Sequence, residues 1–345
     1  MQLPYQRNNR SGVLKKACTS TQLLLEVARK CGVFWEKISY ANMYKLQYKK
    51  NIQYFHGQVP STTTAFARYC SNNKWICSDL LRANGISVNN GILLKKNDSR
   101  PHQLEVYASF KKPLAVKPTG SARGNHVFLN IRNQKEYFLA IKTIFNAAGE
   151  HAGSVLVEEM FVGEEYRILA TQEKVLSVIK RLPANVIGDG VSSIALLIAL
   201  KNKDPLREKI DTYKKIKTGK RLKAYLANQG LTLDSIASKG QNVFLYAPSS
   251  SNMNLGGDTV DVTDDIHPSV KKIVMRAMKS IPGLSLAGID YMTQDIFSQQ
   301  RESMYRIIEV NASPSFDWNE FPIQGKRRNV SYEILKIMFP EMAPL

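Results

Sequence analysis

From residue 113 onward the chain alternates short apolar runs with glycine-bearing loops, and this pattern restricts the fold more than any other feature. Residues 114–117, 154–158, 287–292 and 304–311 have the length and composition of strands bounded by turn residues. Residues 134–148 have the spacing of an amphipathic helix. Because strands and helices mix along the chain, the pattern predicts an α/β protein with α+β lobes.

Several common classes are disfavoured by composition. The longest nearly apolar run, residues 194–200, is far shorter than the ~18 residues that a membrane span requires. The first ten residues are polar and lack the apolar core of a secretory signal. The cysteines contain no C-x-x-C pair, and the histidines are widely separated, so free thiols are favoured over a disulfide framework or a zinc site. We therefore expect a cytoplasmic protein that does not enter a membrane.

The charge of the chain is unusual, because 48 basic residues face 29 acidic ones and leave a net charge of +19. Residues 1–60 hold ten basic and two acidic side chains, and residues 201–223 hold ten and three. Such a field attracts nucleotides, acidic peptides, acidic carrier proteins or nucleic acid. A solvated basic surface without a dedicated partner explains the same composition. No nucleic-acid-binding motif accompanies the charge.

Three oxygen-bearing side chains fall on the last two predicted strands. Glu309 and Asn311 are two residues apart, so they point to the same face of a strand. Asp290 lies near the end of the preceding strand and comes close to them if the two strands pair. Two carboxylates and an amide oxygen suit Mg²⁺ that is held together with substrate phosphates. The alternative is a surface hairpin with incidental acids.

A lysine beside a glycine loop indicates a phosphate contact. Lys117 ends a predicted strand, and residues 120–125 follow as a polar loop. A lysine in this position meets a phosphate as a point charge, while backbone N–H groups close over the oxygens. Lys74 is a candidate for a second contact, although a solvated helix lysine is the plainer interpretation. Glu158 ends a strand followed by acidic and apolar residues, which can form a slot for a purine ring.

The order of these features, a lysine with a glycine loop, an acidic hinge and then D…ExN, resembles the ATP-grasp superfamily of carboxylate–amine ligases. Within it, the chain looks most like the ligase modules of cyanophycin synthetase and of bifunctional glutathione synthetase. The resemblance covers about residues 65–345. Its most specific stretches are RLPANVIGDG at 181–190, GGDT at 256–259, TDDIHP at 263–268 and AGID at 287–290.

What the resemblance implies is a two-step reaction. ATP phosphorylates a substrate carboxylate to give an acyl phosphate and ADP, and an amine then displaces phosphate to leave an amide. The implied cofactors are ATP and Mg²⁺, which Mn²⁺ can replace, and the implied substrates are an amino acid or a small peptide. Two alternatives stay open: loading of an amino acid onto an acidic carrier protein or peptide, and a protein that binds nucleotide without turnover. Relatives suggest a homo-oligomer.

The resemblance also assigns roles to residues at matching positions. For ATP these are Lys74, Lys117, Gly120, Ser121, Gly124, Glu158, Glu159, Phe161 and Glu165; for Mg²⁺, Asp290, Glu309 and Asn311; for the transferring phosphate, Arg181 and Arg167; and for the substrates, Ser313, Asn319, Lys326, Arg327 and Arg328.

The implied fold is an ATP-grasp fold with the nucleotide between a middle and a C-terminal lobe. We expect a divergent basic region over 1–65, in which 38–60 show no clear pattern, and a linker with helices and a strand over 66–112. The middle lobe then covers 113–165 and the C-terminal lobe 166–345. A basic insertion is expected at 201–240, in which residues 204–240 are mostly helical. Loops 120–125 and 249–254 are candidate moving parts, because an acyl phosphate must be shielded from water.

Overall fold

The computed structural model describes residues 19–39, 41–120, 126–147, 153–247 and 253–343. Its helices are α1 Ser20–Lys30, α2 Ala65–Asn72, α3 Lys74–Ala83, α4 Arg100–Ser109, α5 Gln134–Ala147, α6 Ile194–Lys201, α7 Leu206–Lys209, α8 Lys220–Ala227, α9 Pro268–Lys279, α10 Asp317–Glu320 and α11 Val330–Met338. Its strands are β1 Phe34–Ser39, β2 Met43–Tyr48, β3 Asn51–His56, β4 Val59–Pro60, β5 Gly91–Lys95, β6 Leu114–Pro118, β7 Phe128–Ile131, β8 Ser154–Glu159, β9 Glu164–Ala170, β10 Val175–Leu182, β11 Asn185–Ile187, β12 Asn242–Phe244, β13 Asp258–Asp261, β14 Ala287–Thr293 and β15 Tyr305–Asn311.

The chain divides into two compact units, each built from separate stretches of sequence. The first unit comprises Met1–Ser61, Leu176–Asp264 and Ser313–Leu345, and the second comprises Thr62–Val175 and Asp265–Ala312. The division into four consecutive segments that the sequence suggests stays a prediction.

In the second unit, two capped helices lead into the first sheet. Thr64 Oγ1 accepts a hydrogen bond from the Ala67 amide at the start of α2. Asn73 Oδ1 accepts from the amides of Trp75 and Ile76 at the start of α3. These caps satisfy amides that the first turn of a helix leaves without partners, so each helix begins where its polar residue stands. The two helices agree with the expectation of helices in this part of the chain.

The four-stranded antiparallel sheet of the second unit has the order β5-β8-β6-β7. Its core includes Leu94, Leu114, Val116 and Val157 from the strands, and Ile144 from α5 packs against them. All four residues before Pro118 in β6 are buried, including the single lysine of that strand. The sheet therefore holds β6 and β8 rigidly side by side.

A second antiparallel sheet in this unit contains β9, β14 and β15 in that order. The pairing of β14 with β15 confirms that the two strands expected to carry the metal ligands are neighbours. The register shifts between Asp290 and Tyr291, which face Glu309 and Ile307, so Ile308 is an extra residue. Such a bulge re-aims the side chains that follow it.

In the first unit, residues 34–60 form the antiparallel meander β1-β2-β3-β4. Leu46 and Phe55 face its buried side. α1 begins with a capping box in which Thr19 and Gln22 bond to each other's backbone. The N-terminal region thus contains a regular sheet that the sequence did not reveal.

The prediction that residues 204–240 are mostly helical is wrong, because only α7 and α8 are helices there. Ile210, Tyr213 and Ile216 are buried at a spacing of three, which resembles a helix face. They belong to an irregular segment that runs to Gly219, the N-cap of α8. These evenly spaced apolar residues resemble a helix in the sequence, although the segment that contains them is irregular.

A buried carboxylate ties three parts of the first unit together. Asp317, at the start of α10, accepts hydrogen bonds from Ser20 Oγ and from the Thr212 side chain and amide. Ser20 Oγ in turn accepts from the Phe316 amide at 2.9 Å. Burial raises the pKa of Asp317 from its ordinary value, and the hydrogen bonds partly oppose that rise.

Candidate functional site

Three charged residues form a row across β9, β14 and β15. Asp290 stands directly opposite Arg167 on one side and Glu309 on the other. Arg167 Nη1 donates to Asp290 Oδ1 at 2.9 Å. Because directly opposite residues of antiparallel strands share a face, the row presents one cation and two carboxylates on the same surface.

Asn311 lies on that face as well, two residues beyond Glu309 and opposite Gly288. Gly288 leaves room for the Arg167 side chain, since a Cβ at this position would lie 2.4–2.5 Å from the guanidinium. The guanidinium therefore lies flat over the strand and reaches Asp290. The structure brings the three predicted metal ligands together on one surface.

Lys74 adds a second cation beside the carboxylates. It is the first residue of α3, and its amide donates to the Thr119 carbonyl at 2.9 Å. That bond ties the helix to the residue before Gly120. The Lys74 side chain is buried, and its Nζ lies 3.8 Å from Glu309 Oε2. A small crevice beside them is lined by Ser71 and by Cys77, whose pKa burial raises to about 12.

Lys117 and Glu158 form a buried ion pair between β6 and β8. Lys117 Nζ lies 2.7 Å from Glu158 Oε2, with side chains only 7% and 5% exposed. Asn89 Nδ2 donates to the same carboxylate oxygen at 3.2 Å. Gly91 makes space for this arrangement, because a Cβ there would lie 2.9 Å from Glu158 Cγ. In this structure the Glu158 carboxylate is thus directed at the lysine.

The remaining predicted nucleotide residues surround the end of β8. Glu159 Oε1 accepts from the Lys111 amide at 2.9 Å, so its side chain holds a neighbouring loop. Phe161 lies under the Arg306 guanidinium, 5.1 Å from ring centre to Cζ. Glu165 lies on the same strand face as Arg167. Ser121 and Gly124 lie outside the described residues, as do residues 249–252 of the second predicted loop.

Within the part of the chain that the structure describes, no group of three or more His, Cys, Asp and Glu residues can hold a metal ion. The predicted set contains only two carboxylates, those of Asp290 and Glu309, and its third oxygen ligand is the amide of Asn311. Mg²⁺ is commonly bound in this way, through one or two carboxylates together with substrate phosphates and water. The donor set therefore fits a cation that enters with a nucleotide.

Arg181 and the predicted substrate residues belong to the first unit. Arg181 faces Thr259 across β10 and β13, and its guanidinium lies 5.8 Å from the Trp318 ring centre. Asn319 is fully buried; its Nδ2 donates to Ser177 Oγ at 3.2 Å, while its Oδ1 has no hydrogen-bond partner among the described residues.

The other predicted substrate residues already have protein partners. Arg328 makes a two-pronged bond to Asp261 and reaches Asp264 at 2.8 Å, and these contacts raise its pKa. Lys326 lies 3.4 Å from Asp264. The Arg327 guanidinium lies 5.0 Å from the Phe321 ring centre, and Ser313 Oγ donates to Gln58 at 3.3 Å. A substrate role for these side chains stays a prediction.

Sequence reasoning missed two residues that shape the site. Asn89 follows a short apolar stretch and carries no motif, and only the three-dimensional structure shows its bond to Glu158. Gly288 is part of the AGID stretch, but nothing in the sequence indicates that an arginine from another strand fills the space above it.

Two known proteins are similar to nearly the whole chain. It is 32% identical over 326 residues to the glutathione biosynthesis bifunctional protein of Clostridium perfringens, and 32% identical over 325 residues to the cyanophycin synthetase of Trichormus variabilis. The crystal structure of a bifunctional glutathione synthetase from Pasteurella multocida matches with a TM-score of 0.73 at 30% identity. The chain has the ATP-grasp fold and is homologous to a part of each of these enzymes. No protein-family model matches it.

The expected ATP-grasp fold is thus confirmed, and the resemblance extends further than the sequence suggested. The alignments cover 93% of the chain and therefore reach into the first 65 residues, which we expected to be unmatched. The chain spans only 41%, 35% and 43% of the three similar proteins. The similarity therefore extends to only a part of each of these larger proteins. The helices in the described part of the chain are all too short or too polar to cross a bilayer.

Proposed function

We propose that the chain is an ATP-dependent carboxylate–amine ligase that works through an acyl phosphate and releases ADP and phosphate. The observation that carries the proposal is the row of Arg167, Asp290 and Glu309 on one face of a sheet, with Lys74 beside it. Two acids held next to two cations suit a site where anionic groups must approach each other.

The chain's residues fit a divalent cation, and Asp290, Glu309 and Asn311 would hold it. Mg²⁺, or Mn²⁺ in its place, would supply positive charge that stabilises the charge of a transferring phosphate. Arg167 keeps the Asp290 carboxylate in place through its 2.9 Å hydrogen bond.

The lysines and arginines neutralise the phosphates. Lys74 and Lys117 lie close to carboxylates in the structure. When ATP binds, a phosphate oxygen would replace the carboxylate as the partner of each lysine. We assign Glu158, Glu159 and Phe161 to the adenine and Glu165 to the ribose. The loop that includes Gly120, Ser121 and Gly124 would cover the phosphates. Arg181 would meet the transferring phosphate.

The proposed reaction has two steps. A substrate carboxylate oxygen attacks the γ-phosphorus, a new O–P bond forms, and the bond to ADP breaks. The amine nitrogen then attacks the activated carbonyl carbon, the C–N bond forms, and phosphate leaves as the amine loses a proton. The acid and amine are an amino acid or small peptide, and we assign their contacts to Ser313, Asn319, Lys326, Arg327 and Arg328. An acidic carrier peptide is a second candidate acceptor, because residues 201–223 are strongly basic.

The proposal is tested by screening amino acids, singly and in pairs, for ATP-dependent phosphate release. We expect release that requires both an acid and an amine, and its loss in Asp290→Ala and Glu309→Ala. Asp79→Ala, which removes an exposed ion pair with Arg82, is the matched control and should retain activity. Undiminished turnover in the two site variants would refute the assignment of this face.

A further inference from the structure

Helix α6 is apolar on all sides yet only partly covered. Its sequence, IALLIALK, buries Ile194 and Ile198 in a core with residues from β11, β12 and α8. Leu196 and Leu200, one turn apart, are 48% and 49% exposed. A helix that is hydrophobic all round is normally buried all round. One face of α6 therefore lacks a covering surface among the described residues.

The exposed apolar surface continues beyond the start of the helix. An isolated bridge pairs Ser193, the N-cap of α6, with Ile236, which is 59% exposed. Val191, two residues before that cap, is 79% exposed. We call Val191, Leu196, Leu200 and Ile236 the α6 patch. Grouped exposed aliphatic residues of this kind mark interaction surfaces more often than single ones do.

The opposite end of α6 is strongly basic. Asn202, its C-cap, bonds through its side chain to both the amide and the carbonyl of Ile216, at 2.8 and 2.9 Å. This places Lys215 and Lys217 beside the end of the helix, where Lys203 is also exposed. We call these three lysines the basic flank. Lys215 Nζ lies 3.6 Å from Glu208 Oε1, but exposed ion pairs of this kind contribute little to stability.

We propose that the α6 patch and the basic flank together bind an acidic polypeptide segment that carries apolar side chains. The apolar residues would cover the patch, and the carboxylates would meet the flank, which also gives rapid, salt-sensitive association. The choice of a polypeptide rests on the proposed ligase function, since a carboxylate-rich chain is a substrate for such chemistry. The surface itself does not depend on that function.

Two other polyanions fit the surface less well. Single-stranded nucleic acid is bound by stacking on aromatic rings, but Tyr213 and Tyr246 in this region are buried, and Tyr225 and Phe244 are half-buried. Surfaces that bind anionic membranes typically insert Trp, Phe or Leu, and the α6 patch has two leucines but no aromatic side chain. We therefore measure the binding of both ligands beside that of the peptide.

The test is fluorescence anisotropy without nucleotide, with a labelled peptide in which Glu residues surround leucines spaced four apart. We expect Leu196→Ser with Leu200→Ser to weaken binding about tenfold, because about half of each leucine surface is lost from the contact. Lys203→Glu with Lys217→Glu should weaken it by about the same factor and flatten its salt dependence. Two control variants change exposed residues elsewhere: Ile52→Ser, and the double variant Lys50→Glu with Lys96→Glu. Both should bind the peptide within about twofold of the parent.

Equal binding by the parent and the two surface variants would overturn the proposal, and so would no binding at all. Tighter binding of a single-stranded oligonucleotide, or of vesicles of phosphatidylserine and phosphatidylcholine, would also overturn it. Phosphate release is measured on the same variants and should be unchanged with small substrates. A protein that releases no phosphate but binds the peptide through this surface would refute the ligase assignment and leave the surface standing.

Discussion

The substitution Gly288→Ala tests how the strands arrange the candidate metal ligands. The added methyl group would lie 2.4 Å from Arg167 Nη2 and 2.5 Å from Cζ and Nε, far inside van der Waals contact. Gly288 is in an ordinary strand conformation, so the backbone tolerates alanine. The three nearest atoms all belong to the guanidinium, which must move away from Asp290.

The size of the effect follows from the two costs involved. Forcing a methyl group into a packed site costs about 1–3 kcal/mol, and breaking a buried ion pair costs about 3–5 kcal/mol. The Asp290 side chain is 17% exposed, so water replaces part of its lost contact. We therefore expect Gly288→Ala to lower the free energy of unfolding by about 2–4 kcal/mol.

The assay is urea denaturation of four proteins: the parent, Gly288→Ala, Arg167→Ala and the double variant. If the clash with Arg167 is the cause, Gly288→Ala should cost less than about 0.5 kcal/mol once Arg167 is alanine. Gly153→Ala is the matched control, because a Cβ at Gly153 meets nothing within 4 Å. Equal costs of Gly288→Ala with and without the arginine would refute this reasoning.

Three further outcomes follow from buried charges. Glu158→Ala leaves the Lys117 ammonium buried without its carboxylate and should lower the free energy of unfolding in urea by about 3–5 kcal/mol; a loss below about 1 kcal/mol would contradict the buried pair. Arg328→Met leaves the buried carboxylate of Asp261 without its guanidinium and should cost about 3 kcal/mol in the same assay; an unchanged midpoint would show that the pair is not formed in solution. Because the pKa of Asp317 is raised, the native protein keeps a proton that the unfolded chain has lost above about pH 4, so stability should fall as pH rises from there through the raised pKa. Asp317→Asn should flatten that fall in urea midpoints measured across the range, and an identical pH profile would contradict it.

The second unit was predictable because its sequence signals are local. Thr64 and Asn73 stand where caps are expected, and the apolar runs of β6, β8, β14 and β15 are bounded by turn residues. The alternation along residues 309–311 was sufficient to place Glu309 and Asn311 on one face. These features depend on near neighbours in the chain, which a single sequence shows directly.

The N-terminal meander escaped prediction because its first two turns lack the usual markers. Asn42 and Lys49 adopt positive φ values of 54° without a glycine beside them, so the hairpins carry no Asn-Gly or Asp-Gly signal. Tertiary contacts, which the sequence does not display, then stabilise these strands. Apolar and polar residues do alternate in β2 and β3. Because these turns carry no marker, the sequence does not show where each strand begins and ends.

The pairing of charges was the hardest part to anticipate. The resemblance assigns Arg167 to a phosphate and Arg328 to a substrate, but it does not show that Arg167 bonds to Asp290 and Arg328 to Asp261. Each partner lies more than sixty residues away in sequence. Strand register and bulges decide such pairs, and neither is visible in a single sequence.

Calorimetric titration with ATP in the presence and absence of Mg²⁺ tests the central claim most directly. The parent should bind ATP more tightly with Mg²⁺, because Asp290, Glu309 and Asn311 would hold the cation against the nucleotide. Glu309→Gln, which keeps the shape of the side chain but removes its charge, should lose most of this Mg²⁺-dependent gain, about tenfold or more in affinity. ATP binding that responds to Mg²⁺ equally in both proteins would contradict the claim that this face of the sheet is the metal–nucleotide site.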